Sequence, residues 1–235
     1  MTDKLTLAAV DRDGAIEEML DKIDGEAAAS RGIFLKKSAV LSGGLIGGGA
    51  LLGTLAKNAD AATATDADIG NFALTLEYLE AAFYTEAVQM GALSGDVARF
   101  ARIVAAHERT HVAALKKMLG AAAVASPSFN FQGTTESQAK FKATAQVLED
   151  TGVMAYAGQA PRIQSTAILK AALAIHTVEA RHASWIRHIN GAPPAPVGFD
   201  KPKTMQQILA AVTGTGFISS GPAMTASGSN PSFTG

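Results

Sequence analysis

Glu108-Arg109-Thr110-His111 and Glu179-Ala180-Arg181-His182 are the two stretches whose reading decides the architecture of this chain. Residues three apart on an α-helix share a face, so each stretch presents one carboxylate and one imidazole side by side. Each is preceded, about thirty residues earlier, by a Glu-x6-Tyr pattern: Glu77 to Tyr84 and Glu149 to Tyr156. With 10 glutamates and 5 histidines in 235 residues, chance supplies roughly 0.2 Glu-x-x-His pairs. Two copies in matched settings therefore carry information that a single copy would not. Four carboxylates and two imidazoles drawn from four helices form the ligand set of a carboxylate-bridged pair of iron or manganese ions.

The spacing extends the argument to topology. Glu77 and Glu108 lie symmetrically about the turn-like run Gly91-Ala92-Leu93-Ser94-Gly95. In an antiparallel helical hairpin, residues equally far from the turn sit at one height. Glu149 and Glu179 flank a break that begins near Gly158 and Pro161, so the second half repeats the first less symmetrically. Each tyrosine falls two turns beyond its glutamate on the same helical face, where a phenol supports a ligand carboxylate by hydrogen bonding instead of coordinating the metal itself.

Composition bounds the alternatives. Hydrophobic residues make up 48% and aromatics 6%, which suits a helical core filled by Ala, Leu and Val. The formal net charge of -1 offers no electrostatic case for nucleic acid as a partner. With no cysteine in the chain, disulfides, thiolate metal sites and thiol nucleophiles are excluded.

Apolar positions Phe72, Leu76, Leu79, Phe83 and Val88 recur at helical spacing. They predict a first helix over 66–90, capped by Thr65 with Asp68 and stopped by Gly91. A second helix is expected over about 96–119. A third should start at a capping box in Thr135-Glu136-Ser137-Gln138 and weaken around Gly158 and Pro161. A fourth should run over 166–189 with Ser165 as its cap. The first connection is short and the stretch from Gly120 to Thr134 is long, so the chain reads as all-α: a four-helix bundle over 62–190 with one long crossover between helices two and three. Residues 191–235 read as a tail rich in Pro, Gly and Ser, with a short apolar helix over 204–212 and an extended or disordered stretch from Thr213.

Residues 1–61 read as a separate N-terminal extension and export signal. Arg31, Lys36 and Lys37 precede an uncharged run from Ser38 to Ala56, and Ala59-Asp60-Ala61 offers a small-x-small cleavage site. Ser30-Arg31-Gly32-Ile33-Phe34-Leu35-Lys36 resembles a degenerate twin-arginine signal in which Gly32 replaces the second arginine. The alternative is a membrane anchor, since an uncharged run of about 19 residues just spans a bilayer. The expected location is exported, in the periplasm, cell envelope or outside the cell.

The run Phe72-Ala73-Leu74-Thr75-Leu76-Glu77-Tyr78-Leu79-Glu80-Ala81-Ala82-Phe83-Tyr84, the two Glu-x-x-His pairs and the leader together resemble the exported bacterial ferritin-like proteins that include relatives of plant desiccation-related proteins. The ligand motifs are shared with bacterioferritin, rubrerythrin and manganese catalase. The resemblance implies terminal carboxylates at Glu77 and Glu149, bridging carboxylates at Glu108 and Glu179, and nitrogen ligands at His111 and His182. It implies two Fe or Mn ions, oxygen or peroxide as further partners, and a homo-oligomer. It leaves open an enzyme of oxidative defence (ferroxidase or manganese-catalase-like), an iron-storage shell and a non-catalytic desiccation or stress-protection bundle.

Four further expectations concern polar residues near the ligands. Tyr84, Tyr156, His176 and Glu80 are expected to support the ligands. Glu80, three residues after Glu77, is a candidate seventh ligand or metal-admitting group, with a rim position facing water as the plainer expectation. His107 and Asp150, each adjacent to a ligand glutamate, are expected at the solvent-facing surface. Trp185 is expected in the core or an interface, and His188 at the C-terminal end of its helix.

Overall fold

The computed structural model describes residues 64–219. The N-terminal extension, export signal, cleavage site and anchor read from residues 1–61 lie outside the described residues, as do residues 220–235. Four long helices dominate: α1 (Asp66–Met90), α2 (Gly95–Leu119), α3 (Gln138–Gln159) and α4 (Thr166–Ile189). A shorter helix, α5 (Met205–Thr215), follows. The protein is an all-α bundle, as the sequence predicts.

Local chemistry sets the helix ends. Thr65 accepts from the Asp68 backbone while Asp68 reaches back to Thr65, so the expected capping box forms. Gly91 stops α1 at φ 68°, a left-handed conformation that glycine adopts without Cβ strain. Ser165 caps α4 as expected. The start of α3 differs from expectation: Ser137 alone caps it by accepting from Lys140 N, and no reciprocal bond forms. Thr135 is fully buried, and its hydroxyl donates instead to Glu86 at 2.6 Å.

Two phenol-carboxylate hydrogen bonds reveal the helix directions. Tyr84 donates to Glu149, and Tyr156 donates to Glu77 at 2.6 Å. Such crossed pairing requires α1 and α3 to run in opposite directions. Because α1 and α2 form a hairpin, α2 and α3 are parallel, and the chain must travel the length of the bundle between them. A 25-residue helix is ~38 Å long, within reach of the roughly 18 intervening residues at ~3.3 Å each. This is the expected long crossover.

The crossover also explains why α1 is buried on every face. Its buried Asn71 donates to Ala122 O and accepts from Val124 N, both at 2.9 Å. The Tyr78 hydroxyl donates to Val124 O at 3.2 Å. Farther along, Phe131 meets Phe83 edge-on at 5.3 Å. The second hairpin is tied by Arg187 of α4, which grips Asp150 of α3 with two bonds of 2.9 and 2.6 Å. Asp150 is therefore ion-paired between helices, correcting the expectation that it faces only water. Trp185 packs edge-on against Phe100 at 5.1 Å, in the core region as expected.

The tail departs furthest from expectation. Thr204 caps α5 with Gln207, and Met205, Ile208, Leu209 and Val212 bury one face of the helix on the bundle. The helix continues past Val212 to Thr215. Phe217 then enters the core against Phe131, and Ile218–Ser219 (β2) pairs antiparallel with Ser128–Phe129 (β1) of the crossover. The apolar residues Phe217 and Ile218 supply burial that the Gly/Ser/Thr composition around them conceals.

Candidate metal centre

The six sequence-predicted ligands meet in the middle of the bundle. Glu77 comes from α1, Glu108 and His111 from α2, Glu149 from α3, and Glu179 and His182 from α4. All four glutamates are 0% exposed, and His111 and His182 are 5% and 3% exposed. The three-residue spacing places each Glu-x-x-His pair on one inward face, and the hairpins bring the two pairs to the same level.

The atoms sort into two half-sites. His111 Nδ1 lies 3.0 Å from Glu179 Oε1, 3.1 Å from Glu108 Oε2 and 3.2 Å from Glu77 Oε2. His182 Nδ1 lies 3.1 Å from Glu108 Oε1, 3.3 Å from Glu149 Oε2 and 3.8 Å from Glu179 Oε2. Glu108 and Glu179 thus turn one oxygen to each half, whereas Glu77 and Glu149 each serve one. In both halves the converging atoms lie within 4.8 Å of one another.

This convergence fits cations better than a hydrogen-bond network. A ring nitrogen carries at most one hydrogen and cannot donate to three oxygens. Glu108 Oε1, Glu149 Oε2, both Glu179 oxygens and His182 Nδ1 are buried without a hydrogen-bond partner. Ligand atoms bound at ~2.1 Å on adjacent corners around an ion are separated by about 3 Å, close to the observed spacings. Four buried carboxylates, if ionised, would carry four negative charges, the charge two divalent ions would balance; left uncompensated they would cost several kcal/mol each.

The protonation energetics show the same demand for positive charge. Burial pushes the Glu77 carboxyl well above the ordinary range against the opposing pull of His111, and pushes Glu149 up to about 8. For Glu108, burial acts upward too, but the adjoining imidazoles of His111 and His182 outweigh it. Glu179 is likewise lowered: burial and Glu108 raise it, but the two histidines prevail. Burial opposes charge on His111 and His182, yet the surrounding carboxylates raise both. Without metal, imidazole protons take the part of cations.

The supporting residues are placed as follows. Tyr84 and Tyr156 each hold a carboxylate of the opposite hairpin, Glu149 and Glu77. Burial and the nearby carboxylates raise both phenols well above their ordinary range, so they remain donors. Glu80 is only 3% exposed, which overturns the rim expectation. Burial first, then Glu179, Glu149, Glu108 and Glu77, push its carboxyl well up. Gly152 leaves space there: a Cβ on it would lie 3.4 Å from Glu179 and 3.6 Å from Glu80. His176 lies beside Tyr156, ring centres 6.5 Å apart, with a buried Nδ1 that has no partner. It hydrogen-bonds none of the six. His188 is exposed in the last turn of α4.

His107, expected at the surface, lies against a ligand imidazole. Its Nδ1 is 2.8 Å from His182 Nε2, and the two rings meet edge to edge with centres 5.1 Å apart and planes within 15°. Burial, and then the two neighbouring imidazoles, push it down to about 4. The signal was its four-residue separation from His111, which puts both on one side of α2.

A family model described as ferritin-like domain matches residues 65–192. A comparison with curated proteins finds no match. The match covers the helices that carry every residue of the two half-sites, and the chain belongs to the ferritin-like domain family.

Proposed function

We propose that this bundle holds a carboxylate-bridged pair of iron or manganese ions and uses it in redox chemistry, iron(II) oxidation or peroxide removal, as an exported protein of stress protection. The observation that supports this most is the pair of half-sites sharing Glu108 and Glu179, with orphaned buried oxygens and a buried imidazole nitrogen turned inward. Glu77, Glu108, Glu179 and His111 would hold one ion; Glu108, Glu149, Glu179 and His182 would hold the other. Bound there, the ions supply one-electron redox changes and Lewis acidity. The oxygen and nitrogen donors accept either metal.

The chain's own groups prepare the site. Tyr84 and Tyr156 fix the carboxylates of Glu149 and Glu77 by donating to one oxygen and leaving the other free to face inward. In the metal-free centre, burial and neighbouring carboxylates favour the protonated form of Glu80. Aliphatic and aromatic layers, with Leu74, Phe83 and Phe100 fully buried, exclude water and preserve the electrostatic strength of the centre.

The test is metal analysis of the full-length protein, followed by rates of iron(II) oxidation and peroxide loss beside Glu108→Ala. Two ions per chain and an acceleration lost in the variant are expected. A wild-type protein that takes up neither metal overturns the reading. Two bound ions with neither reaction accelerated would leave the metal site and remove the catalysis, favouring a protective bundle.

A further inference from the structure

We propose that His107 is a positioning residue that aims His182 at its half-site and so makes the two metal positions unequal in affinity. This rests on the two-ion reading above. His182 Nδ1 faces Glu108 and Glu149 at 3.1 and 3.3 Å, while its Nε2 lies 2.8 Å from His107 Nδ1. A neutral imidazole has one N–H and one lone pair. When the Nδ1 lone pair faces a cation, the hydrogen is on Nε2, and the atom within reach to accept it is His107 Nδ1. The tautomers of both rings follow: His107 carries its own hydrogen on Nε2.

The two rings meet edge to edge with planes 15° apart and centres 5.1 Å apart, so the short N···N contact lies in the plane of both rings, the alignment a directed hydrogen bond requires. A ligand imidazole whose far nitrogen donates to an acceptor is held in place and made more basic. Among the described residues, His111 has no corresponding partner on Nε2; its polar contacts are all made by Nδ1. The otherwise symmetric centre is therefore supported on one side only.

Manganese(II) alone, titrated into metal-free full-length protein with free ion counted by electron paramagnetic resonance, tests this. His107→Phe keeps a ring against His182 and removes the acceptor; His107→Asn offers Oδ1 near the position of Nδ1. Wild type should bind two ions. In His107→Phe one of the two should weaken by about 10- to 100-fold while the other stays within about twofold, and His107→Asn should recover most of the loss. If His107→Phe does not fold, His107→Ala replaces it. Unchanged binding at both positions, or equal weakening at both, overturns the role of His107 and leaves the two-ion reading standing. A wild-type protein that binds no manganese or iron overturns both.

Discussion

Removing metal should leave a protein that becomes less stable as the pH rises above neutrality. Glu149 is fully buried and its folded-state carboxyl is pushed from an ordinary 4.5 up to about 8. Such a group binds its proton more tightly when folded, so its contribution is present at low pH and lost as the pH climbs through 8. Between about pH 6.5 and 8.5 the linkage amounts to roughly 2 kcal/mol for Glu149 alone. Glu77, Glu80, His111 and His182 are raised as well and act in the same direction. Glu108, Glu179 and His107 are lowered, but their gain accrues as the unfolded chain deprotonates, mostly below about 6.5. At roughly 2–4 °C per kcal/mol for a chain of this size, the metal-free Tm should fall by at least about 4–8 °C across the window. The assay is thermal unfolding followed by circular dichroism at constant ionic strength, with and without manganese(II). Metal should reverse the slope, because deprotonated ligands bind it better, and Glu149→Gln should make the metal-free slope shallower. A metal-free Tm that is level or rising from pH 6.5 to 8.5 refutes the reasoning.

Replacing Tyr84 by Phe deprives Glu149 Oε1 of its phenol donor. It should weaken metal binding by about tenfold or more, read by manganese titration; Tyr156→Phe should do the same through Glu77, and unchanged affinity in both variants would deny the phenols this role. At Gly158 an added Cβ would meet the Lys203 carbonyl oxygen at 1.9 Å, where the backbone leading into α5 bonds Met154 O through Lys203 N at 3.1 Å. Gly158→Ala should therefore cost about 1–3 kcal/mol in thermal unfolding with metal uptake retained, and an unaltered Tm would show that the close approach is not needed.

The long helices were legible because their signals are local. Thr65 with Asp68, Ser165, Gly91 and the apolar spacing of α1 all act within a turn or two of chain. The three-residue offset in each Glu-x-x-His pair is equally local, and the near-symmetric placement about each turn sets the level at which the ligands meet. The tail was harder to read, since Phe217 is buried only because Phe131 of a distant crossover waits for it. Thr135 looked like a cap because nothing in its neighbourhood reveals that Glu86 would take its hydroxyl.

The sequence by itself determined which residues share a helical face, where the helices begin and end, and that four carboxylates and two imidazoles would be carried at matching heights. Tertiary structure alone decided that the phenols cross between hairpins, that Glu80 is enclosed instead of lying at the rim, that Asp150 pairs with Arg187 and that His107 backs His182. The physical reason is that helical periodicity fixes angles around one axis, whereas the rotation, direction and separation of neighbouring axes are set by packing. Partners on other helices exist only once those three quantities are chosen.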